Sequence, residues 1–198
     1  MKTRVRRAAQ RFTLCAILVF AVSMQPAILV PAQNTKSREQ SHFNSEQGDV
    51  GSVARPVSLP KGALDVLRRD QRVLHCARNQ NISADQIPVK WFTASEIHLD
   101  GPVETDFVVL PRFDLDLKPS NVCLMGANIG PFWVLAEMPK GYKLLLATST
   151  LGLIVLDSRT KGYRDIKSVS ESDVVTTVIF KFDGQKYRVY RSSQKPIQ

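Results

Sequence analysis

Alternation of apolar and polar positions in the second half of the chain predicts a run of antiparallel β-strands. From residue 132 the chain reads Phe-Trp-Val-Leu-Ala-Glu-Met-Pro-Lys-Gly-Tyr-Lys-Leu-Leu-Leu. Trp133 and Leu135 would point to one side of a strand, and the residue after each of them to the other. The Met-Pro-Lys-Gly sequence fits a tight turn, after which residues 142–147 return as an apolar strand. We therefore expect a β-meander over residues 132–166.

Four further strands follow the same pattern. Residues 153–157 and 163–169 flank a Ser-Arg-Thr-Lys-Gly turn, and the β-branched and aromatic run at 174–182 is typical of a strand. The Asp-Gly pair at 183–184 predicts a hairpin. The last strand, at 187–191, carries basic residues that suit an exposed sheet edge.

Helical periodicity occurs in one stretch before these strands, residues 63–78. The residues of its apolar face are Ala63, Leu64, Leu67, Val73, Leu74 and Ala77. The expected fold class is therefore α+β, with one N-terminal amphipathic helix packed on a mainly antiparallel β-sheet. That sheet would be a meander, an open barrel or a sandwich. The alternative for the helix is that an Arg-Arg-Asp-Gln-Arg interruption divides it into two short ones.

The first 32 residues have the pattern of a secretory signal peptide. Basic residues come first, an apolar stretch at 12–24 follows, and Val-Pro-Ala at 30–32 provides the small residues of a cleavage site. We expect cleavage after Ala32 and export to the periplasm or the extracellular space. The alternative is an uncleaved N-terminal membrane anchor.

The remaining chain is expected to form one domain. A length of 198 residues and a hydrophobic share of 43% suit a single core with appendages. Residues 33–58 are polar and predict a disordered linker. The globular domain would span 59–191, and 192–198 would be a tail.

The net charge of +9 gives little support for nucleic-acid binding. Five of the positive charges lie in the first eleven residues, where no acid accompanies them, and this leaves +4 for the rest. No basic run or aromatic platform follows. We therefore expect no nucleic-acid partner.

Export would place the cysteines in an oxidising compartment. Cys15 lies in the signal segment, so Cys76 and Cys123 remain, and we expect them to form one disulfide between the helix and the sheet. The alternative is two buried thiols. Neither cysteine has a nearby Cys-x-x-Cys partner, so no zinc or redox site is expected.

The segment Glu-Ile-His-Leu-Asp-Gly-Pro-Val-Glu-Thr-Asp-Phe-Val-Val-Leu at 96–110 resembles one unit of the FG-GAP/VCBS-type repeat of secreted β-propellers. In that family an acidic loop binds calcium and leads into an apolar strand. Two of the four side-chain oxygens that the resemblance implies are absent here, which leaves Asp100 and Asp106, with Glu104 as a further acid of the loop. Calcium takes about six to eight oxygens. We expect a degenerate loop that binds no metal, and no propeller because the unit occurs once.

Later motifs extend the resemblance over about residues 59–190. They are Cys-Leu-Met-Gly-Ala-Asn-Ile-Gly-Pro-Phe-Trp-Val-Leu from 123, Gly-Tyr-Lys-Leu-Leu-Leu from 141, Gly-Tyr-Arg-Asp-Ile from 162 and Phe-Asp-Gly-Gln-Lys-Tyr from 182. In this order, behind a single acidic-loop strand, they are similar to a group of exported bacterial proteins. The resemblance implies export and this architecture; it implies no mechanism, because the group has no assigned activity.

Candidate chemistry is sparse. No Gly-x-Ser-x-Gly, His-Glu-x-x-His or phosphate-loop sequence occurs, so we expect no catalytic residue and no cofactor. The compact Gly-Ala-Asn-Ile-Gly loop at 126–130 could shape a binding pocket through Asn128 and Trp133. The alternative is that this loop merely turns the chain.

The expected function is a non-catalytic binding or accessory module of the cell envelope with an unknown ligand. Its partner would be an envelope protein or a glycan, and it would meet the membrane only during export or through an uncleaved anchor. The first alternative is a proteinaceous inhibitor of a cell-wall hydrolase, which would insert a loop into the enzyme's cleft. The second is an envelope hydrolase with an unrecognised site.

Overall fold

Two antiparallel sheets and a pair of short helices form three layers. The computed structural model describes residues 39–45, 53–126 and 129–197. The predicted signal segment and Asn128 lie outside these ranges. Within them the fold is β-rich with some helix, as the sequence predicts.

Four strands form the middle layer in the order β2–β3–β4–β5. They are β2 (Phe92–Ile97), β3 (Asp106–Pro111), β4 (Gly130–Met138) and β5 (Gly141–Thr150). Five strands form an outer layer in the order β1–β6–β7–β8–β9. They are β1 (His42–Asn44), β6 (Gly152–Thr160), β7 (Tyr163–Glu171), β8 (Val174–Phe182) and β9 (Tyr187–Pro196).

Strand β4 is buried on both faces, and this places its sheet in the middle. Trp133 and Leu135 belong to a core shared with the helices, whereas Val134 and Ala136 belong to the core between the sheets. The alternation predicted from the sequence is therefore confirmed. A strand with apolar residues on both faces needs a cover on each side, which the helices and the second sheet provide.

Two short helices replace the single N-terminal amphipathic helix, a prediction that the structure does not support. They are α1 (Lys61–Leu67) and α2 (Gln71–Asn79). Between them Asp70 is extended, with ψ of 134°. Its Oδ1 accepts hydrogen bonds from the backbone N–H groups of Arg72 at 3.0 Å and Val73 at 3.4 Å. Asp70 is thus the N-cap that separates the helices.

Part of the segment expected as a linker belongs to the fold. Strand β1 pairs with β6, and Phe43 is 3% exposed in the core between the sheets. Val53 is buried in the same core, and Val57 forms an isolated β-bridge with Ala94. Phe43, Val53 and Val57 are spread through a polar stretch and form no periodic pattern, so the sequence did not predict that this segment is part of the fold. The predicted tail differs as well, since β9 continues to Pro196.

The predicted meander is divided between the sheets. Strands β4 and β5 form a hairpin in the middle sheet, with Gly141 at a φ of +115°, and β6 and β7 form one in the outer sheet. The chain passes from one sheet to the other at Leu151. Consecutive antiparallel pairing is therefore confirmed, but the strands do not form one continuous sheet.

The predicted disulfide is present. Cys76 of α2 and Cys123 are bonded with their Cα atoms 5.4 Å apart. The bond joins the helix layer to the connection between β3 and β4. In the part of the chain that the structure describes, no helix is long and apolar enough to cross a membrane.

Candidate functional site

The described part of the connection from β3 to β4, residues 112–126, is attached to the body of the domain by buried hydrogen bonds and the disulfide. Asn121 is 1% exposed, and its Nδ2 donates to the carbonyl oxygens of Trp91 at 2.8 Å and Arg112 at 2.9 Å. The indole Nε1 of Trp91 donates to the carbonyl of Pro119 at 2.8 Å. Together with the disulfide, these bonds hold the connection in one conformation.

A pocket lies where this connection meets the end of the middle sheet. Its empty volume is about 330 Å³. The residues that line it are Ser45, Leu110, Pro111, Phe113, Met125, Gly126, Ile129 and Gly130. The side chains are apolar except for Ser45. The pocket therefore suits an apolar group, with few polar atoms to orient it.

Two glycines of the predicted loop shape the wall of this pocket. A Cβ on Gly126 would lie 2.3 Å from the carbonyl oxygen of Ile129, to which the Gly126 N–H donates at 3.1 Å. A Cβ on Gly130 would lie 3.0 Å from that of Ser45, whose Oγ accepts from the Gly130 N–H. Close backbone approach, not a positive φ, makes glycine necessary at 126, whereas a Cβ at 130 would require only a small shift of the Ser45 side chain.

Large hydrophobic side chains stand exposed on the same connection. Phe113 is 45% and Ile129 44% exposed, and both reach the pocket. Leu115 at 67% and Val122 at 50% lie further along. Such a group of exposed apolar residues is typical of a binding surface.

Trp133 lies beneath the surface. Its side chain is 0% exposed and packs edge-on against Phe92, with ring centroids 5.7 Å apart, while the guanidinium of Arg72 lies 5.4 Å from its ring. A ligand at the pocket would therefore not touch Trp133. The other residue predicted for binding, Asn128, lies outside the described ranges.

Asp106 of the acidic loop is buried, and its carboxyl group is hydrogen-bonded to the backbone. It is 0% exposed; its Oδ2 accepts from the N–H of Leu99 at 2.8 Å, and its Oδ1 accepts from the N–H of Glu137 at 3.1 Å. Burial is the main reason that the pKa of this carboxyl rises to about 7, and the two hydrogen bonds oppose the rise. Asp106 thereby ties the loop to β4.

The other acids of the loop do not converge with Asp106 on a metal site. Asp100 lies near Tyr163, whose pKa rises to about 12 through burial first and this acid second. Glu104 is exposed, and its carbonyl lies 3.0 Å from Nδ1 of His98. Among the described residues, no group of three or more His, Cys, Asp or Glu side chains could hold a metal ion.

A partly buried ion pair lies between the two sheets, and the periodicity of the sequence did not predict it. The side chain of Arg164 is 10% exposed, and its Nη1 donates to Oε1 of Glu39 at 3.1 Å. The same oxygen accepts from the N–H of His98 at 2.9 Å. Clefts with empty volumes of about 590 to 730 Å³ flank Glu39. In the sequence, an arginine on a strand and a glutamate in a polar stretch cannot be told from solvated charges, so this ion pair was not predicted.

These features define a three-layer domain of helices on two stacked sheets, with a small apolar pocket at one end of the middle sheet. Comparison with protein-family models, curated proteins and solved structures found no match to the chain.

Proposed function

We propose that this domain is a non-catalytic binding module of the cell envelope that takes an apolar group into the pocket beside Ile129. The observation that carries the proposal is an open apolar pocket, with Phe113 and Ile129 half exposed at its rim. Leaving such side chains in water is unfavourable, and a partner that covers them removes that cost.

The pocket favours a protein partner over a glycan. The pocket is small: it leaves only about 30 Å³ for the centre of a water-sized sphere, which suits one apolar side-chain group. Sugar hydroxyls would lose hydrogen bonds to water against Leu110, Pro111 and Met125. An apolar side chain of an envelope protein is the ligand that matches this lining.

Binding of the neutral dye N-phenyl-1-naphthylamine to the full chain tests the pocket. We expect Phe113→Ala to weaken dye binding about tenfold or more, because truncating a buried aromatic contact costs above about 1.4 kcal/mol. Val103→Ala removes an 83% exposed side chain elsewhere and should leave binding unchanged. Equal binding by all three proteins would contradict the proposal.

Two glycine-to-alanine substitutions test the shape of the pocket, because each adds one methyl group to the backbone. Gly126→Ala forces the Ile129 carbonyl away and should reduce dye binding. Gly101→Ala meets nothing within 4 Å and should not. If Gly126→Ala keeps full dye affinity, the wall formed by this loop is not part of the binding site.

Export remains part of the proposal. Its support is the basic and apolar N-terminal pattern together with the Cys76–Cys123 disulfide, which is compatible with an oxidising compartment. Fractionation of cells producing the full chain, with maleimide labelling of free thiols, tests it. We expect the chain in the exported fraction with Cys76 and Cys123 unlabelled; a cytosolic chain labelled at both would contradict export.

A second candidate is a proteinaceous inhibitor of a cell-wall hydrolase. The observation that favours it is the constrained β3–β4 connection, which presents Leu115 at 67% exposure. A rigid protruding loop can enter an enzyme cleft with little loss of conformational entropy. Lysozyme inhibition by the full chain, weakened in Leu115→Asp, is the expected result; no inhibition at high molar excess would reject it.

An envelope hydrolase has less support. Asp106 has the raised pKa of a possible catalytic acid, but both its oxygens accept backbone hydrogen bonds. It also lines none of the four cavities described here. A general acid must reach its substrate, and this one is enclosed.

A further inference from the structure

The outward face of the five-stranded sheet carries a cluster of cations. Ile166, Phe180 and Phe182 point into the core between the sheets. Side chains alternate along a strand, so Lys167, Ile179 and Lys181 point outward, and the residues of β9 that lie opposite β8 share the same face across a bulge in the register. We call the outward cations of β7, β8 and β9 the basic face: Lys167, Lys181, Arg188, Arg191 and Lys195.

Strand register brings these cations together. Lys167 lies opposite Ile179, which lies opposite Arg191, and Lys181 lies opposite Arg188. Adjacent strands are about 4.8 Å apart, and outward positions recur about every 6.8 Å along a strand. Four of the five cations therefore stand within two outward rows of the sheet.

Most of this charge has no acidic partner. Among the described residues, Lys167, Arg191 and Lys195 form no ion pair within 4.0 Å. Arg188 pairs with Asp183 at 2.9 Å in the adjoining turn. The exposed acid Glu171 lies in the same row as Lys195, since both lie opposite Val175, and this row is at the other end of the face from Lys181 and Arg188. The centre of the face is therefore positively charged.

The side chains around the cations suit contact with a broad, flat partner better than contact with a strand of nucleic acid. Val169, Val175 and Ile179 are half-buried and lie between the cations, which gives an even sheet face with apolar side chains in it. Tyr190 is 66% exposed on this face, with the Lys181 ammonium 3.9 Å from its ring centroid, and a single ring is not the row of aromatics on which successive bases stack.

We propose that the basic face docks the domain on a lipid bilayer that carries anionic phospholipid headgroups. The occupant follows from charge complementarity. A plane of phosphates meets all five cations at once, and the short aliphatic side chains lie at the headgroup boundary. This docking is independent of the apolar pocket, because none of its residues lines that pocket.

A fluorescence reporter at the face itself tests the proposal in the full chain. Trp91 and Trp133 are both 0% exposed, so a tryptophan introduced by Tyr190→Trp reports the face separately. Vesicles of phosphatidylcholine with or without 30% phosphatidylglycerol carry a spin label on their headgroups. We expect quenching with the anionic vesicles, little with the neutral ones, and loss of quenching at high salt.

Matched charge variants in the same reporter chain complete the test. Lys167→Gln with Arg191→Gln should weaken vesicle binding about 25-fold, at about fivefold for each cation. Lys90→Gln with Lys143→Gln removes the same charge from two exposed positions outside the basic face and should weaken it much less. Equal weakening by the two pairs would overturn the proposal.

Two further outcomes would also overturn it. One is the absence of quenching with anionic vesicles at low salt. The other is tight binding of a duplex oligonucleotide or an acidic polysaccharide by a chain that the vesicles do not quench. Thermal unfolding of every variant ensures that a lost signal is not lost folding.

Discussion

Asp106 contributes to the fold through both of its carboxylate oxygens. It joins Leu99 to Glu137, so that the acidic loop stays attached to strand β4 of the middle sheet. The sequence indicated a retained acid at the start of an apolar strand, but not its role. A hydrogen bond that a carboxylate accepts from a backbone N–H thirty-one residues away has no periodic signature.

The raised pKa of Asp106 predicts a pH-dependent stability. The folded protein keeps the proton up to about pH 7, whereas the ordinary pKa of 3.8 applies to the unfolded chain. The free energy of unfolding should therefore fall as pH rises through this window and be larger at pH 5 than at pH 8. Asp106→Asn should flatten the slope in urea titrations; Glu104→Gln, at an exposed acid, should keep it. A slope in Asp106→Asn as steep as in the unaltered protein would show that another group carries the effect.

At the scale of elements, the disulfide and strand β1 differ in how visible they are in the sequence. Cys76 and Cys123 were predicted to bond because cysteines in an exported chain have few alternatives. Phe43 was not predicted to be buried, because a lone aromatic in a polar stretch resembles a linker. Its strand is three residues long and depends on the edge of β6.

The disulfide should contribute substantially to stability. It closes a loop with a sequence separation of 47, for which the chain-entropy model gives about 4 kcal/mol. Cys76→Ala with Cys123→Ala should lower the free energy of unfolding by about that amount in denaturant titrations. The same loss should follow when a reductant is added to the unaltered protein, and the variant should not respond to the reductant.

Phe43 should be as costly to remove as a core residue. Phe43→Ala leaves a cavity between the sheets, and we expect a loss of about 3–5 kcal/mol in the free energy of unfolding. Phe113→Ala is the matched control, since that ring is 45% exposed and should cost well below 1.5 kcal/mol. If the two variants unfold at the same denaturant concentration, β1 does not belong to the stable core.

At the scale of the molecule, stability should decrease from the middle sheet outward. Strand β4 has the helices on one side and the second sheet on the other, whereas β9 is exposed along all but its first residue. Hydrogen exchange followed by mass spectrometry should show the slowest exchange in peptides from β4 and the fastest strand exchange in β9. Faster exchange in β4 than in β9 would contradict the layered core.

The sequence predicted most strands of this molecule but not how they are stacked. Residues 174–182 were placed to the residue, and the two faces of β4 were assigned correctly. Local patterns carry that information, because side-chain direction repeats within one strand. At Leu151 the chain passes from the middle sheet to the outer sheet. Where it does so depends on how the two sheets pack on each other, which is decided by contacts between residues distant in sequence.

The pairing of His42 with Ile154 has a consequence for the order in which the strands can pair during synthesis. Strand β1 leaves the ribosome, or a translocation channel, more than one hundred residues before the edge on which it will lie. It must therefore wait as an unpaired segment with an exposed phenylalanine until β6 arrives. Closing such a long-range contact is slow, so the earliest described strand to emerge is expected to be among the last to dock.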